Sequence, residues 1–149
     1  MTPRLLFRRL AAAEAVTWSL LLVGMFLKYV TETTDAAVSI FGPIHGVAFI
    51  AYGLTAVLVA VDQRWSPSRA VLALLAAIPP FFTVLFDVLA ERRGAFATQW
   101  RLTSSEPRRP LERPVAWLLR NPGRGAAAGV VAVVVLTGIA LAVGPPVGG

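Results

Sequence analysis

The sequence contains no cysteine and a single histidine, His45, in 149 residues. The absence of cysteine excludes disulfides, iron–sulfur clusters, thiolate zinc sites and a thiol nucleophile. Charged residues are also scarce: they make up 15% of the chain, whereas a soluble domain carries about a quarter. With 56% apolar residues and a mean hydropathy of +0.69, much of the surface is expected to meet lipid rather than water.

Catalytic motifs are absent as well. The sequence has no GxSxG elbow, phosphate loop, HExxH motif or dinucleotide fingerprint. One histidine with one or two carboxylates falls short of a metal-ligand set. We therefore expect no catalytic residue, no cofactor and no bound metal, and the sequence favours a protein that is not an enzyme.

Four apolar segments account for most of the chain. Each is 18 to 24 residues long, enough to cross or nearly cross a hydrocarbon core of about 30 Å at about 1.5 Å per residue. Because lipid offers the backbone no hydrogen-bond partners, each segment is predicted to be helical. The fold class is an all-α membrane helical bundle, with a three-helix unit in residues 1–94 and a fourth helix in residues 126–149. The predicted spans are residues 10–27, 38–61, 70–90 and 126–143.

The third segment contains tandem prolines, Pro79-Pro80, which remove two amide donors in mid-membrane. A kinked helix that still spans is the commoner outcome, and a hairpin that dips in and returns is the alternative. If the segment spans, the positive-inside cues conflict. Arg4, Arg8 and Arg9 place the amino terminus in the cytoplasm, whereas the total count of basic residues favours the opposite orientation. A hairpin would put both basic connections in the cytoplasm and remove the conflict.

A long basic connection, residues 95–125, precedes the fourth helix. From Glu91 to Gly125 there are eight arginines and three glutamates, a net charge of +5, with four prolines among them. Within this connection, residues 114–120 are predicted to form a short amphipathic helix on the membrane surface. A disordered basic linker is an equal alternative.

The formal net charge of +6 and the pI near 11.3 raise the question of nucleic-acid binding. The basic residues, however, flank apolar segments, where cations anchor helices and meet anionic headgroups. We therefore expect membrane lipids as partners and no nucleic acid. Thirteen of the 14 basic residues are arginine, and with abundant alanine this bias is typical of a GC-rich bacterial genome. The predicted location is the bacterial plasma membrane, which the chain would cross several times.

Glu14 lies a full turn inside the first apolar segment. An ionised side chain costs about 2.5–3.5 kcal/mol at the centre of a membrane helix, so its presence requires a reason. We predict a buried carboxylate with a partner, and Arg64 or Arg69 lies at matching depth.

Further polar residues converge when the helices are threaded antiparallel. His45 falls at the level of Lys28 and Tyr29, and also of Asp87 if the third segment spans. A histidine placed there could respond to pH or relay protons. The alternative is a structural histidine beside an ion pair, and snorkelling alone accounts for Lys28. The candidate intramembrane polar cluster is Glu14, Lys28, Tyr29, His45 and Asp87.

Small residues near the start of the second segment predict helix packing. Gly42 and Gly46 form a GxxxG pair, and Gly53 extends the same face seven residues later. Such a stripe lets another backbone approach closely, although apolar GxxxG pairs are frequent by chance.

The run from Arg8 to about Gly94 resembles a bacterial membrane-protein family catalogued as domain of unknown function 3817. The resemblance is carried by Glu14, by Leu27-Lys28-Tyr29, by the Gly42–Phe49 block (GPIHGVAF), and by Tyr52, Trp65 and the Pro79 region. It implies a three-helix membrane unit and assigns no activity. Ala15 and Pro79-Pro80-Phe81-Phe82 depart from the family pattern, so carry-over is least secure in the third segment. The long connection and the fourth helix lie outside the resemblance.

Three functions are compatible with these features. The first is a non-enzymatic accessory or structural subunit whose helices pack with a partner membrane protein or with copies of itself. The second is a small proton-linked transporter or transporter subunit that uses Glu14, His45, Lys28 and Asp87. The third is a lipid-modifying membrane enzyme, which rests on the polar cluster alone. The short loops, the glycine stripe and the missing catalytic motifs favour the first.

Overall fold

A computed structural model describes residues 1–144, and in this range every regular element is helical. The predicted all-α fold class is therefore confirmed. The short tail predicted beyond the fourth helix, residues 145–149, lies outside the described residues. The elements in chain order are α1 (Pro3–Tyr29), α2 (Ala36–Asp62), α3 (Pro67–Leu75), α4 (Phe82–Arg92), a 3-10 turn (Arg101–Thr103), α5 (Glu112–Arg120) and α6 (Pro122–Val143).

Three of these helices, α1, α2 and α6, are long and apolar enough to cross a membrane. They contain the predicted spans 10–27, 38–61 and 126–143, and each begins two to seven residues earlier than predicted. The extra residues of α1 are explained by its cap: Thr2 Oγ1 accepts a hydrogen bond from the amide of Leu5 at 3.2 Å, and Pro3 occupies the first turn.

Helices α1 and α2 pack antiparallel along their length. The short turn between them requires a close approach at Gly24, because a Cβ there would lie 3.1 Å from the backbone of Ala37. The predicted packing stripe is not used in this way within the described chain. A Cβ added at Gly42 or Gly46 would meet no atom within 4 Å, and one at Gly53 would make an ordinary contact with a leucine side chain.

The third apolar segment, residues 70–90, does not form the expected kinked span. It folds as a hairpin of two short helices, α3 and α4, that turns at residues 76–81. Thr83 contacts Glu14, and one turn later Asp87 contacts Arg8. As its residue numbers rise, α4 therefore descends along α1 toward the amino terminus.

The physical reason for the hairpin lies in the turn residues. Pro79 and Pro80 carry no amide proton, so the helical ladder cannot continue through them. Phe81 then takes a left-handed conformation, with φ of 67°, which reverses the chain before α4 begins. The tip of the hairpin is fixed by two long-range hydrogen bonds: Trp18 Nε1 donates to the carbonyl of Ala77 at 3.3 Å, and the Tyr52 hydroxyl donates to that of Ala73 at 2.9 Å.

Residues 1–94 therefore form two long helices and a hairpin and not the predicted three-helix unit, and their core is aromatic and lies near the amino terminus of α1. Phe7 is fully buried, with its ring centroid 5.3–5.9 Å from the rings of its four aromatic neighbours. Aromatic pairs at this separation add about 0.5–1.5 kcal/mol each beyond the area they bury. Phe7 lies outside the predicted first span, so this centre was not anticipated. Its neighbours are Tyr52, Trp65, Phe86 and Phe96.

The basic connection folds onto the same end of the bundle. Leu102, Val115 and Ala116 are buried against α2, and the predicted short helix 114–120 is found as α5. A Cβ at Gly125 would lie 2.3 Å from the Leu118 carbonyl oxygen, so glycine is required where α6 leaves α5. Beyond that point no residue of α6 is buried.

Because the third segment turns back, the arginines collect at one end of the molecule. This arginine end comprises the start of α1, the turn between α2 and α3, the start of α3, the end of α4, the connection, α5 and the start of α6. It carries all 13 arginines. At the opposite end, Lys28 is accompanied by Glu32 and Asp35. The bundle is therefore strongly asymmetric in charge along its long axis.

Candidate functional site

The contact between α1 and the hairpin is centred on Glu14. Its side chain is completely buried, and Oε2 lies 2.6 Å from the hydroxyl of Thr83, which is itself fully buried on α4. The same hydroxyl lies 3.3 Å from the carbonyl oxygen of Ala11. The predicted buried carboxyl is present, but its partner is this hydroxyl and not Arg64 or Arg69.

The proton count of this contact suits a neutral carboxyl. The Thr83 hydroxyl has one proton and two acceptors within reach, the Ala11 carbonyl and Glu14 Oε2. A neutral Glu14 donates its own proton to the Thr83 oxygen, and the hydroxyl then donates to Ala11. Glu14 Oε1 has no hydrogen-bond partner among the described residues. An uncharged carboxyl tolerates such isolation far better than a carboxylate does.

His45 contacts the next turn of α1, where it lies beside Thr17 and Trp18. Its Nδ1 lies 3.1 Å from the Thr17 hydroxyl oxygen, and its ring centroid is 4.5 Å from that of Trp18. The Thr17 hydroxyl donates to the backbone carbonyl of Glu14 at 2.9 Å. Its proton is therefore committed, so Nδ1 of His45 must carry the proton of this hydrogen bond. The side chain is 8% exposed.

Asp87 belongs to an ion-pair group at the arginine end. Arg8 Nε lies 2.8 Å from Asp87 Oδ2, and the Arg8 guanidinium also contacts Glu91, which in turn pairs with Arg4. The Asp87 side chain is 4% exposed and that of Arg8 is 41% exposed. This group joins the amino terminus of α1 to the carboxyl end of α4 and closes the hairpin against the bundle.

The structure therefore divides the candidate polar cluster among separate environments. Glu14 lies in α1, and His45 contacts the next turn of the same helix. Asp87 pairs with Arg8. The Lys28 ammonium lies 5.4 Å from the ring centroid of the exposed Tyr29. The expected convergence of His45 with Lys28, Tyr29 and Asp87 is wrong.

Two physical reasons explain that error. His45 lies nine residues inside α2, and its partner Thr17 precedes Lys28 by eleven residues, about 16 Å of helix. Asp87, in turn, is carried away from His45 because α4 runs back toward the arginine end.

Sequence reasoning also missed a second polar junction, which holds the basic connection to the bundle. Asp62, at the end of α2, is fully buried and accepts from the amides of Arg101 and Leu102 at 3.1 and 2.9 Å. Glu112, at the start of α5, accepts from Arg64 at 3.0 Å and from Arg101 at 2.9 Å. Acidic residues inside an arginine-rich connection were the available signal.

The electrostatics of Glu112 are set by its donors. The side-chain hydrogen bond from Arg64, followed by backbone hydrogen bonds from Arg108 and Arg109 and the charge of Arg101, lowers the pKa of Glu112 from 4.5 to about 2. Glu112 is only 1% exposed, so its ionised form is held by these donors and not by water.

Chemically, the sites differ in kind. The Glu14 contact can hold one proton in an apolar environment, whereas the ion pairs at the arginine end fix elements to one another. In residues 1–144, no group of three or more histidine or acidic side chains is arranged to hold a metal ion.

Comparison with known proteins agrees with this architecture. Residues 5–92 match the profile of a family described as "Domain of unknown function (DUF3817)". The matched range ends with α4, so it contains α1, α2 and the hairpin and excludes α5 and α6.

A relative from Streptomyces coelicolor, named as a membrane protein, is 51% identical over 96 residues. The match covers 62% of this chain but only 11% of that relative, which is therefore a much longer protein. No solved structure matches the chain.

Proposed function

The chain belongs to the DUF3817 family of membrane proteins, and on that premise we propose that it is a non-enzymatic accessory subunit. In this proposal α1, α2 and the hairpin form a membrane anchor of defined shape, and α6 packs against a helix of a partner membrane protein. The protein lies in the bacterial plasma membrane, which α1, α2 and α6 each cross.

The observation that carries the proposal is the sparse packing of α6, which contacts α2 and α5 without burying any of its residues. None of its 22 residues is buried against the rest of the described chain. Gly138 has open space where a Cβ would be, so a second backbone could come close there. Membrane helices associate through such small residues, because lipid provides no hydrophobic driving force between them.

The Streptomyces coelicolor relative supports a partner over self-association. In that protein the matching segment is joined to a polypeptide about eight times its own length. A unit that is covalently attached to a larger membrane protein in one case is expected to act beside such a protein in another. In this chain the attachment would be the non-covalent packing of α6.

The orientation follows from the arginine end. Basic residues near membrane helices are retained on the cytoplasmic side. With the third segment folded as a hairpin, both cues that conflicted in the sequence favour the same side, so we assign the arginine end to the cytoplasm. The turn between α1 and α2, with Glu32 and Asp35, would face outward.

Site-specific crosslinking in native membranes tests the proposal. A photo-crosslinking amino acid replaces Val134 on α6, which is 64% exposed, or Val16 on α1, which is 60% exposed and is the matched control. We expect a discrete adduct with one membrane protein from position 134 but not from position 16. Leucine at Gly138, which lies on the same face of α6 as Val134, should reduce its yield. An adduct of twice the mass of the chain, or adducts with lipid alone, would contradict the proposed partner.

A proton-linked transport role is the second candidate, and one observation favours it: the buried, unpartnered Oε1 of Glu14. A carboxyl that can gain or lose a proton inside the membrane is a requirement of such a role. Proton-driven flux in proteoliposomes that is lost in Glu14→Gln and His45→Ala would favour this candidate. The accessory role predicts no proton-driven flux, either in the wild-type protein or in the variants.

A further inference from the structure

The hairpin encloses a groove that none of the contacts described above uses. It lies between α3 and α4, has a volume of about 510 Å³ and extends from the arginine end to Pro79. Its walls are apolar, and they include Leu72 and Leu75 on α3 and Phe82 and Leu85 on α4. These four side chains are about half exposed, so the two arms of the hairpin do not close on one another.

The length of the groove matches one leaflet of a bilayer. Its α4 wall has 11 residues, which rise about 16 Å, and half of a hydrocarbon core of about 30 Å is about 15 Å. The groove ends at Pro79, where the hairpin turns. A helix that crosses the whole membrane could not lie along it, because the turn blocks its path at mid-depth.

The mouth of the groove is positively charged. Arg69, in the first turn of α3, and Arg93, just after α4, both line it, together with the hydroxyls of Ser66 and Ser68. Neither arginine forms an ion pair with any residue in the range 1–144, whereas Arg8 is neutralised by Asp87 and Glu91. The two hydroxyls hydrogen-bond to each other at 3.1 Å, which leaves one hydroxyl proton free. Two unpaired guanidinium groups and this hydroxyl suit a phosphate, which arginine binds through two parallel hydrogen bonds.

We propose that this groove binds one anionic phospholipid of the leaflet at the arginine end. The phosphate lies between Arg69 and Arg93, and an acyl chain lies along Leu72 and Leu85 toward Pro79. The groove is open to the side, so a lipid can enter from the surrounding leaflet. This inference does not depend on the proposed partner of α6, because the groove is lined by α3, α4 and their flanking residues and by no residue of α6.

Native mass spectrometry of the full-length protein in detergent tests the site. The protein is titrated with phosphatidylglycerol or with phosphatidylcholine of the same acyl chains. We expect one phosphatidylglycerol to bind in preference to phosphatidylcholine. The double variant Arg69→Gln/Arg93→Gln should bind it about 10- to 30-fold more weakly, since each arginine near an anionic surface contributes about fivefold.

The matched control removes the same charge from the same end of the molecule. Arg9 and Arg92 are exposed, lie outside the groove and form no ion pair within residues 1–144. The variant Arg9→Gln/Arg92→Gln should therefore keep the wild-type affinity. Equal weakening in both double variants would mean that net charge alone attracts the lipid, and would overturn the proposed site.

A third variant separates a lipid from a free anion. Leu72→Trp fills the apolar part of the groove and leaves both arginines in place, so it should weaken binding of the lipid. Millimolar inorganic phosphate should not displace the lipid. Full displacement by phosphate with no effect of Leu72→Trp would indicate an anion site without a lipid chain, and a second polypeptide retained in the groove would indicate a protein ligand. Either result would overturn the inference. The melting temperature of each variant serves as the check on folding.

Discussion

At the scale of single residues, the fold depends on a few polar side chains that are satisfied inside an apolar bundle. The burial of Glu14 could be predicted from its place in an apolar segment. Its partner could not, because Thr83 is 69 residues away and reaches Glu14 only after the chain reverses at Pro79. A sequence indicates that a buried polar group needs a partner, but tertiary packing decides which partner it obtains.

The proton count at Glu14 leads to a first prediction. Glu14→Gln should keep the stability of the protein within about 0.5 kcal/mol, because an amide N–H can donate to the Thr83 oxygen as a neutral carboxyl does. Glu14→Ala should lower the free energy of unfolding by about 1–3 kcal/mol, since it leaves the hydroxyl without its partner and opens a cavity. Thermal unfolding in detergent compares the two. If glutamine destabilised the protein as much as alanine, the carboxyl would be ionised and the inferred hydrogen-bond direction would be wrong.

Glu112 leads to a second prediction, on pH. Its pKa in the folded protein is lowered from 4.5 to about 2. Its stabilising contribution is therefore fully present above about pH 4.5 and is lost as the pH falls through about 2. The protection factors for hydrogen exchange in α5, which compare each amide with its intrinsic rate at the same pH, should fall over this interval, while those in α2 stay high.

The control for this experiment is Glu112→Gln, which removes the titrating group. In that variant α5 should exchange faster already at neutral pH, and the acid-dependent step should disappear. Persistence of the same step in Glu112→Gln would assign it to another acid.

At the scale of elements, α1, α2 and α6 follow from hydropathy and length, but the hairpin does not follow from composition. A proline pair in an apolar segment is compatible with a kink or a reversal, and kinks are the commoner outcome. The reversal becomes visible only through contacts far apart in sequence, such as that between Trp18 and Ala77. The close approach of α1 and α2 occurs at Gly24, which has no GxxxG partner and was not predicted, while the packing role of the glycine stripe stays a prediction.

The turn of the hairpin leads to a third prediction, based on two neighbouring phenylalanines of similar exposure. Phe81, which is 48% exposed, has a φ of 67°, whereas Phe82, which is 51% exposed, lies in the first turn of α4. Phe81→Gly relieves a left-handed conformation that costs a side chain about 1–2 kcal/mol, so it should maintain or raise the melting temperature. Phe82→Gly should lower it, because glycine costs about 1 kcal/mol in a helix. A reversed order of the two melting temperatures would contradict this turn.

At the scale of the whole molecule, the distribution of charge is the property that the sequence concealed. When the third segment is taken to span, the basic residues predict conflicting orientations in the membrane. In the folded bundle, all 13 arginines lie at one end. The conflict came entirely from the direction assigned to residues 82–92. The direction of α4 decides on which side of the membrane the following connection lies. A wrong direction for this one short helix therefore places the whole connection on the wrong side.

A fourth prediction follows for the topology in cells. The chain has no cysteine, so a single cysteine at Thr33, Ser66 or Ser104 is a unique label site. Cysteines at 66 and 104 should react from the cytoplasmic side, and a cysteine at 33 from the outside. Labelling of 66 and 104 from opposite sides would mean that the third segment crosses the membrane.

The hairpin reaches only to the middle of the bilayer in the proposed topology, so the molecule is wider at the arginine end than at the opposite end. In the proposed topology, α3 and α4 add their volume to that of the long helices in the leaflet of the arginine end, whereas the opposite leaflet holds the long helices alone. The same protein therefore displaces more lipid area from one monolayer than from the other. A flat bilayer accommodates that mismatch only by compressing one monolayer or stretching the other, and a bilayer that bulges toward the arginine end accommodates it without either.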